Sequence, residues 1–91
     1  MDATTKRMVT RNQATLANNI AKMKREAQES AAGGSYRLAG ATYLDVADLL
    51  AVAEAIKAED FDCARRLVCD LESVPRDEIP CELYRWLFKS N

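Results

Sequence analysis

Apolar residues recur every three or four positions through the first third of the chain, which is the spacing of one face of an α-helix. The positions on this repeat are Val9, Gln13, Leu16, Ile20, Met23 and Ala27. Thr4 or Thr5 can cap the start of such a helix, because a threonine hydroxyl accepts a hydrogen bond from a backbone N–H group. Gly33-Gly34 is expected to end it. We therefore predict a long N-terminal helix over residues 1–32.

The glycine pair opens a predicted loop over residues 33–41, which ends where Thr42 can cap a second helix. Residues 43–57 then carry apolar side chains on two faces. One face holds mostly large residues, and the other, which includes Leu44 and Ala47, is mainly small. A helix that is apolar on two sides generally lies between neighbours, so we place this helix at the centre of the fold.

Two shorter helices are predicted in the last third of the chain. The first covers residues 61–72, with Asp60 as its cap. Pro75 disfavours helix in the residue before it, so the stretch that follows is predicted to be a break. Pro80 suits the first turn of a last helix over residues 80–89, where its missing N–H is not needed. The predicted fold class is therefore all-α, a small bundle of about four helices.

Composition supports a single helical domain over residues 1–91. The chain has only three glycines and two prolines, and 48% of its residues are hydrophobic. Charge divides it into two parts: residues 1–39 hold seven basic and three acidic side chains, and residues 40–91 hold six basic and eleven acidic ones. We therefore describe the domain as a long basic amphipathic helix, a glycine-containing loop, and a compact acidic part over residues 42–91.

The predicted first helix is basic on the side opposite its apolar repeat, since successive residues turn by ~100°. The cations on that side are Arg7, Arg11, Lys22 and Arg25. Such a face can bind an acidic protein surface or the phosphates of a nucleic acid. The low isoelectric point of 5.4 disfavours a dedicated nucleic-acid binder. We therefore expect a larger protein or nucleoprotein complex as the partner, with nucleic-acid binding as the alternative.

The apolar repeat itself has two interpretations. It can pack against the later helices, or it can form the seam of a homodimer. The residues that would form this seam are Val9, Leu16, Ile20 and Met23. Gln13 and Ala27 interrupt the repeat with a polar and a small side chain, which weakens a free-standing coiled coil. We favour packing within the chain, and a homodimer stays open as the alternative.

The sequence argues against catalysis and against a bound metal. It contains no histidine, so neither a Ser–His nor a Cys–His nucleophile system can be built. Cys63, Cys69 and Cys81 have no CxxC spacing and lack a fourth strong zinc ligand. We expect no catalytic residue, no metal and no cofactor. The opening MDATTKRMVT lacks the apolar core of a signal peptide, and no apolar run approaches the ~20 residues of a membrane span. We therefore expect a cytoplasmic protein with no membrane partner.

The aromatic C-terminal segment CELYRWLFKSN is a second candidate for partner binding. Tyrosine, tryptophan and arginine contribute most of the binding energy at many protein interfaces. A domain of this size also needs large side chains for its core, so we assign Trp86 to the core. Tyr84 and Arg85 are the predicted contact residues.

In size and lack of histidine, the chain resembles the small inhibitor proteins of phages and mobile elements, including anti-CRISPR proteins. The resemblance is one of size and composition, and no motif accompanies it. It implies a non-catalytic module that occupies a surface of a larger host protein or nucleoprotein assembly. The basic face of the first helix would make the main contact.

Overall fold

The computed structural model describes residues 1–89, and its first helix, α1, runs over Ala3–Ala32. Asp2 caps this helix, because its carboxylate accepts the backbone N–H of Thr5 at 2.7 Å. That hydrogen bond is the main reason why the pKa of Asp2 lies below its ordinary value. The predicted caps Thr4 and Thr5 are therefore wrong, and both residues lie inside the first turn. An aspartate also interacts favourably with the positive end of the helix dipole, which a threonine cannot do.

The second helix, α2, covers Tyr36–Lys57, so the predicted loop over residues 33–41 is too long. The turn needs only the segment before Tyr36, where Gly34 has a φ of 85°. The predicted cap Thr42 lies within the helix, and its hydroxyl donates to the carbonyl of Leu38 at 3.0 Å. A single glycine, Gly40, does not stop a helix whose neighbours are good helix formers.

Three short helices follow: α3 over Phe61–Cys69, α4 over Ser73–Arg76 and α5 over Cys81–Leu87. Asp60 caps α3 as predicted, accepting the N–H of Cys63 at 3.2 Å. The predicted helix over residues 61–72 ends earlier, and the predicted break around Pro75 contains the single turn of α4. Residues 1–89 are all-helical, with five helices where about four were predicted.

α1 and α2 form an antiparallel pair, and α2 also packs against α3 and α4. α5 closes one end of the pair by contacting both α1 and α3. The largest side chains with essentially no exposure come from α1, α2, α3 and α5, together with one from α4: Leu16, Leu49, Val52, Ile56, Val68, Pro75 and Leu83. The described part measures 47 × 22 × 20 Å, so the α1–α2 pair extends well beyond the end covered by the short helices. No helix in residues 1–89 has the length and apolar character needed to cross a bilayer.

Candidate interaction surfaces

Three of the four predicted cations point into solvent from α1. Arg7, Lys22 and Arg25 are exposed, and they form no ion pair with any residue in 1–89. We call the solvent side of α1 that bears them the outer face of α1. Because Arg7 and Lys22 are 15 residues apart, they lie about 22 Å apart along the helix axis.

Arg11, the fourth predicted cation, is held by an intramolecular contact instead. Its guanidinium donates to Oε1 of Glu82 on α5 at 2.6 Å. The same oxygen accepts Nδ2 of Asn12 at 2.7 Å, and that amide also donates to the carbonyl of Met8 at 2.8 Å. Arg11 therefore contributes to joining α1 and α5, while its side chain stays 63% exposed.

The two hydrogen bonds, first from Asn12 and then from Arg11, lower the pKa of Glu82 below its ordinary value of 4.5. A carboxylate with a lowered pKa in the folded state stabilises the fold above its unfolded pKa, and this stabilisation is lost as pH falls through the folded pKa. We therefore expect Glu82→Gln to lower the urea midpoint at pH 7, with the difference from the wild type closing below pH 4.5. Urea denaturation followed by circular dichroism at pH 7 and at pH 3 measures this difference in midpoint. A difference that persists unchanged at pH 3 would contradict the role of the Glu82 charge.

The middle of the outer face carries no charge at all. Residues 12–21 contain no acidic or basic side chain. Its exposed residues include Ala14, Ala17, Asn18 and Ala21, three of which are small. The outer face of α1 is therefore a low, uncharged strip with cations at each end. Neither the spacing of the cations nor the flat strip between them is typical of a continuous phosphate-binding surface.

The C-terminal candidates lie at the closed end of the helix pair. Tyr84 is half-buried and packs on Phe88 with ring centroids 4.9 Å apart, whereas Arg85 is exposed. An open hollow of about 340 Å³ lies beside them. Its lining residues are Arg76, Asp77, Ile79, Cys81, Tyr84 and Arg85. Trp86 is half-buried and meets Phe61 edge-to-face at 4.8 Å, at the margin of the core.

The residues of the predicted dimer seam are buried within the chain. Val9, Leu16, Ile20 and Met23 are at most 6% exposed and belong to the core. The inward polar residue of α1 is Asn12, rather than the predicted Gln13, which is only half-buried. The apolar repeat of α1 therefore packs within the chain. These four side chains leave almost no exposed surface for a second chain to contact.

A second apolar surface lies on the solvent side of α2, and the sequence interpretation did not assign it to binding. We call it the outer stripe of α2. It has a heptad-like spacing and consists of Tyr36, Gly40, Tyr43, Ala47 and Leu50, with Leu44 beside it. Tyr36 and Leu44 are 74% and 69% exposed, and the large side chains of Tyr43 and Leu50 are exposed as well. The two-faced apolar pattern was the available signal, but we interpreted it as two buried faces.

A cluster of acidic side chains lies on the side of α2 away from the outer stripe. Partial burial, followed by the negative charges of Asp48 and Glu72, raises the pKa of Asp45 above its ordinary value. These charges give this side of the molecule a sign opposite to that of the outer face of α1. The two surfaces can therefore meet partners of opposite charge.

Carboxylates and thiols are the potential metal ligands of this chain, which has no histidine. Across residues 1–89, no three carboxylate or cysteine side chains come together as a metal site would require. The three cysteines are free thiols; Cys69 and Cys81 are exposed, and Cys63 is partly buried.

Comparison with known protein families, with curated proteins and with solved structures found no match.

Proposed function

We propose that the chain is a non-catalytic protein-binding module that docks the outer face of α1 on an acidic surface of a larger protein or nucleoprotein complex. One observation carries the proposal: Arg7, Lys22 and Arg25 are exposed and unpaired within residues 1–89, on one side of a 30-residue helix. Unpaired cations at this spacing attract an acidic partner and orient it before contact.

The uncharged middle of this face favours a protein over a nucleic acid. Ala14, Ala17 and Ala21 let another helix or a flat surface approach α1 closely. A nucleic acid presents a phosphate about every 3.4 Å along each strand, so the gap of about 16 Å between Arg11 and Lys22 would leave several phosphates without a cation. A protein with two separate acidic patches matches the arrangement better.

By occupying that surface, the chain would keep other molecules from binding the partner there, as an inhibitor that covers a host protein does. Arg85 and the half-buried Tyr84 could add a second contact at the closed end of the helix pair, beside the open hollow. The acidic residues on the far side of α2 would face away from the partner and repel nucleic acid from it.

Neutralising Arg7, Lys22 and Arg25 together to glutamine tests the proposal. We expect capture of the partner from a cell extract at 150 mM salt to fall at least tenfold, because rim charges control association. The matched control neutralises Lys57, Arg66 and Lys89, which are also exposed and change the net charge by the same amount.

The control should capture the partner as the wild type does. Equal loss in both triple variants would mean that net charge alone controls binding, and unchanged capture by the first variant would contradict the proposal. Circular dichroism checks the folding of both variants. We expect both to fold, because glutamine is a good helix former.

Nucleic-acid binding remains the second candidate, because the same three cations are free to contact phosphates. It predicts a mobility shift with duplex DNA or RNA at 20 mM salt that disappears as salt rises. Nuclease treatment of the extract separates the two candidates, since it would abolish capture only if nucleic acid bridges the chain to its partner.

A further inference from the structure

The outer stripe of α2 is a large apolar surface left uncovered in one chain. An exposed run of tyrosine and leucine side chains on one helix face generally marks a contact site. α3 and α4 pack elsewhere on α2, so the stripe is accessible along its whole length. It does not overlap the outer face of α1, and the inference below is independent of the proposed function.

We propose that the outer stripe binds the same stripe of a second copy of this chain, with the two α2 helices antiparallel. The positions of the stripe are spaced symmetrically on either side of residue 45. Position 43 pairs with 47, position 40 with 50, and position 36 with 54. In a two-fold pair centred there, each position of one helix meets its counterpart on the other. This is the alternating heptad register of an antiparallel coiled coil.

Size complementarity supports this register. Tyr43 meets Ala47 of the second copy, and Leu50 meets Gly40. In both pairs a large side chain faces a small one, so that the helices can approach closely while their side chains interdigitate. Leu44, one residue from the midpoint, meets the Leu44 of the second copy near the two-fold axis.

Charge complementarity favours the antiparallel direction. Glu54 lies at one end of the stripe and Arg37 at the other, and both are exposed. Antiparallel pairing places each Glu54 beside Tyr36 and Arg37 of the second copy. Parallel pairing would instead place the two Glu54 side chains beside each other, and like charges at this distance repel.

The length of the stripe sets the expected affinity. The 19 residues from Tyr36 to Glu54 span about 27 Å of helix. One pair of helices in contact over this length buries less than the ~1,200 Å² at the lower end of stable complexes. We therefore expect a dimer that dissociates at a concentration on the order of 10 μM.

The test is sedimentation equilibrium of the whole chain in reducing buffer, which prevents disulfides between the exposed cysteines. The mass should rise from 10.1 kDa to about twice that value between 1 and 500 μM protein. Leu44→Lys should keep the mass at one chain throughout, because two cations would meet at the axis. Leu38→Lys is the matched control: Leu38 is 59% exposed on the same helix but off the stripe, and the variant should dimerise normally.

The direction is tested in a chain with all three cysteines changed to serine. Under mild oxidation, Leu44→Cys should form a disulfide-linked dimer, whereas Tyr36→Cys should not, because its two copies would lie far from each other at opposite ends. A wild type that stays monomeric at 500 μM would overturn the proposal, as would equal loss of dimer in Leu44→Lys and Leu38→Lys. Efficient crosslinking through Tyr36→Cys would overturn the antiparallel direction.

The proposed function fails separately from this inference. The triple variant at Arg7, Lys22 and Arg25 should dimerise like the wild type. Loss of partner capture in Leu44→Lys, together with a monomeric wild type, would assign the stripe to the partner instead and overturn the self-pairing.

Discussion

Replacing Leu49 by alanine should destabilise the chain by about 2–5 kcal/mol. Leu49 has no exposed surface and lies on the side of α2 that faces the core. Removing three carbons there forfeits the transfer free energy of the side chain and leaves a cavity that surrounding helices can only partly fill. Small domains are stable by only several kcal/mol, so a substantial fraction of the variant should be unfolded at 37 °C.

Urea denaturation followed by circular dichroism at 0.5 μM protein measures this loss well below the expected dissociation constant of the dimer. Leu38→Ala is the control, because it removes the same atoms from an exposed position on the same helix. Its free energy of unfolding should lie within about 0.5 kcal/mol of the wild type. Equal midpoints for the two variants would mean that α2 does not present Leu49 to the core.

Asn12→Asp should lower the free energy of unfolding by about 2–4 kcal/mol at pH 7. Asn12 is 6% exposed, and its amide donates to the carbonyl of Met8 and the carboxylate of Glu82. An aspartate has nearly the same shape but no donor. It would place a negative charge against two acceptors, one of them already charged.

Two comparisons separate charge from packing at this site. Asn12→Leu also removes the donor but adds no charge, so it should cost less than the aspartate variant. Lowering the pH to 4 should reduce the penalty of the aspartate variant, because the protonated carboxyl can donate again. Equal destabilisation by aspartate and leucine at both pH values would show that the amide is not engaged as described.

Periodicity predicted the elements in which one helix face is buried. The apolar repeat of α1 identified its core residues, because a face packed against a neighbour must repeat every three or four positions. Asn12 escaped this reasoning. A buried asparagine is acceptable only when its amide finds partners, and Glu82 lies 70 positions away in the chain.

The errors in α2 have a different origin. Gly40 and Thr42 resemble loop and cap signals locally, but the start of the helix is favoured by burial of Ala39, which depends on tertiary packing. The apolar pattern of α2 indicated two faces, both expected to be covered by neighbours, but Leu44 and Ala47 of the second face are exposed. Whether a second face is covered by the same chain or by another molecule is not encoded in its spacing, so the sequence could not distinguish a buried face from the outer stripe.

The candidate binding surface was predicted in part. Arg7, Lys22 and Arg25 lie on the solvent side as expected, since only helical spacing was needed to place them. The separation of Arg11 from this group required knowledge of which helix packs beside it. Glu82 on α5 supplies that contact, 71 positions away.

Site-specific photocrosslinking tests the central claim most directly, because it records what touches the outer face of α1. A photoreactive residue is introduced at Asn18, in the uncharged middle of the face, and separately at Arg66 on α3 as a control; both positions are exposed. After irradiation in cells and nuclease treatment, we expect one discrete protein adduct from Asn18 and none of that mass from Arg66. Only nuclease-sensitive adducts at Asn18, or the same adduct from both positions, would contradict a protein-binding role for this face.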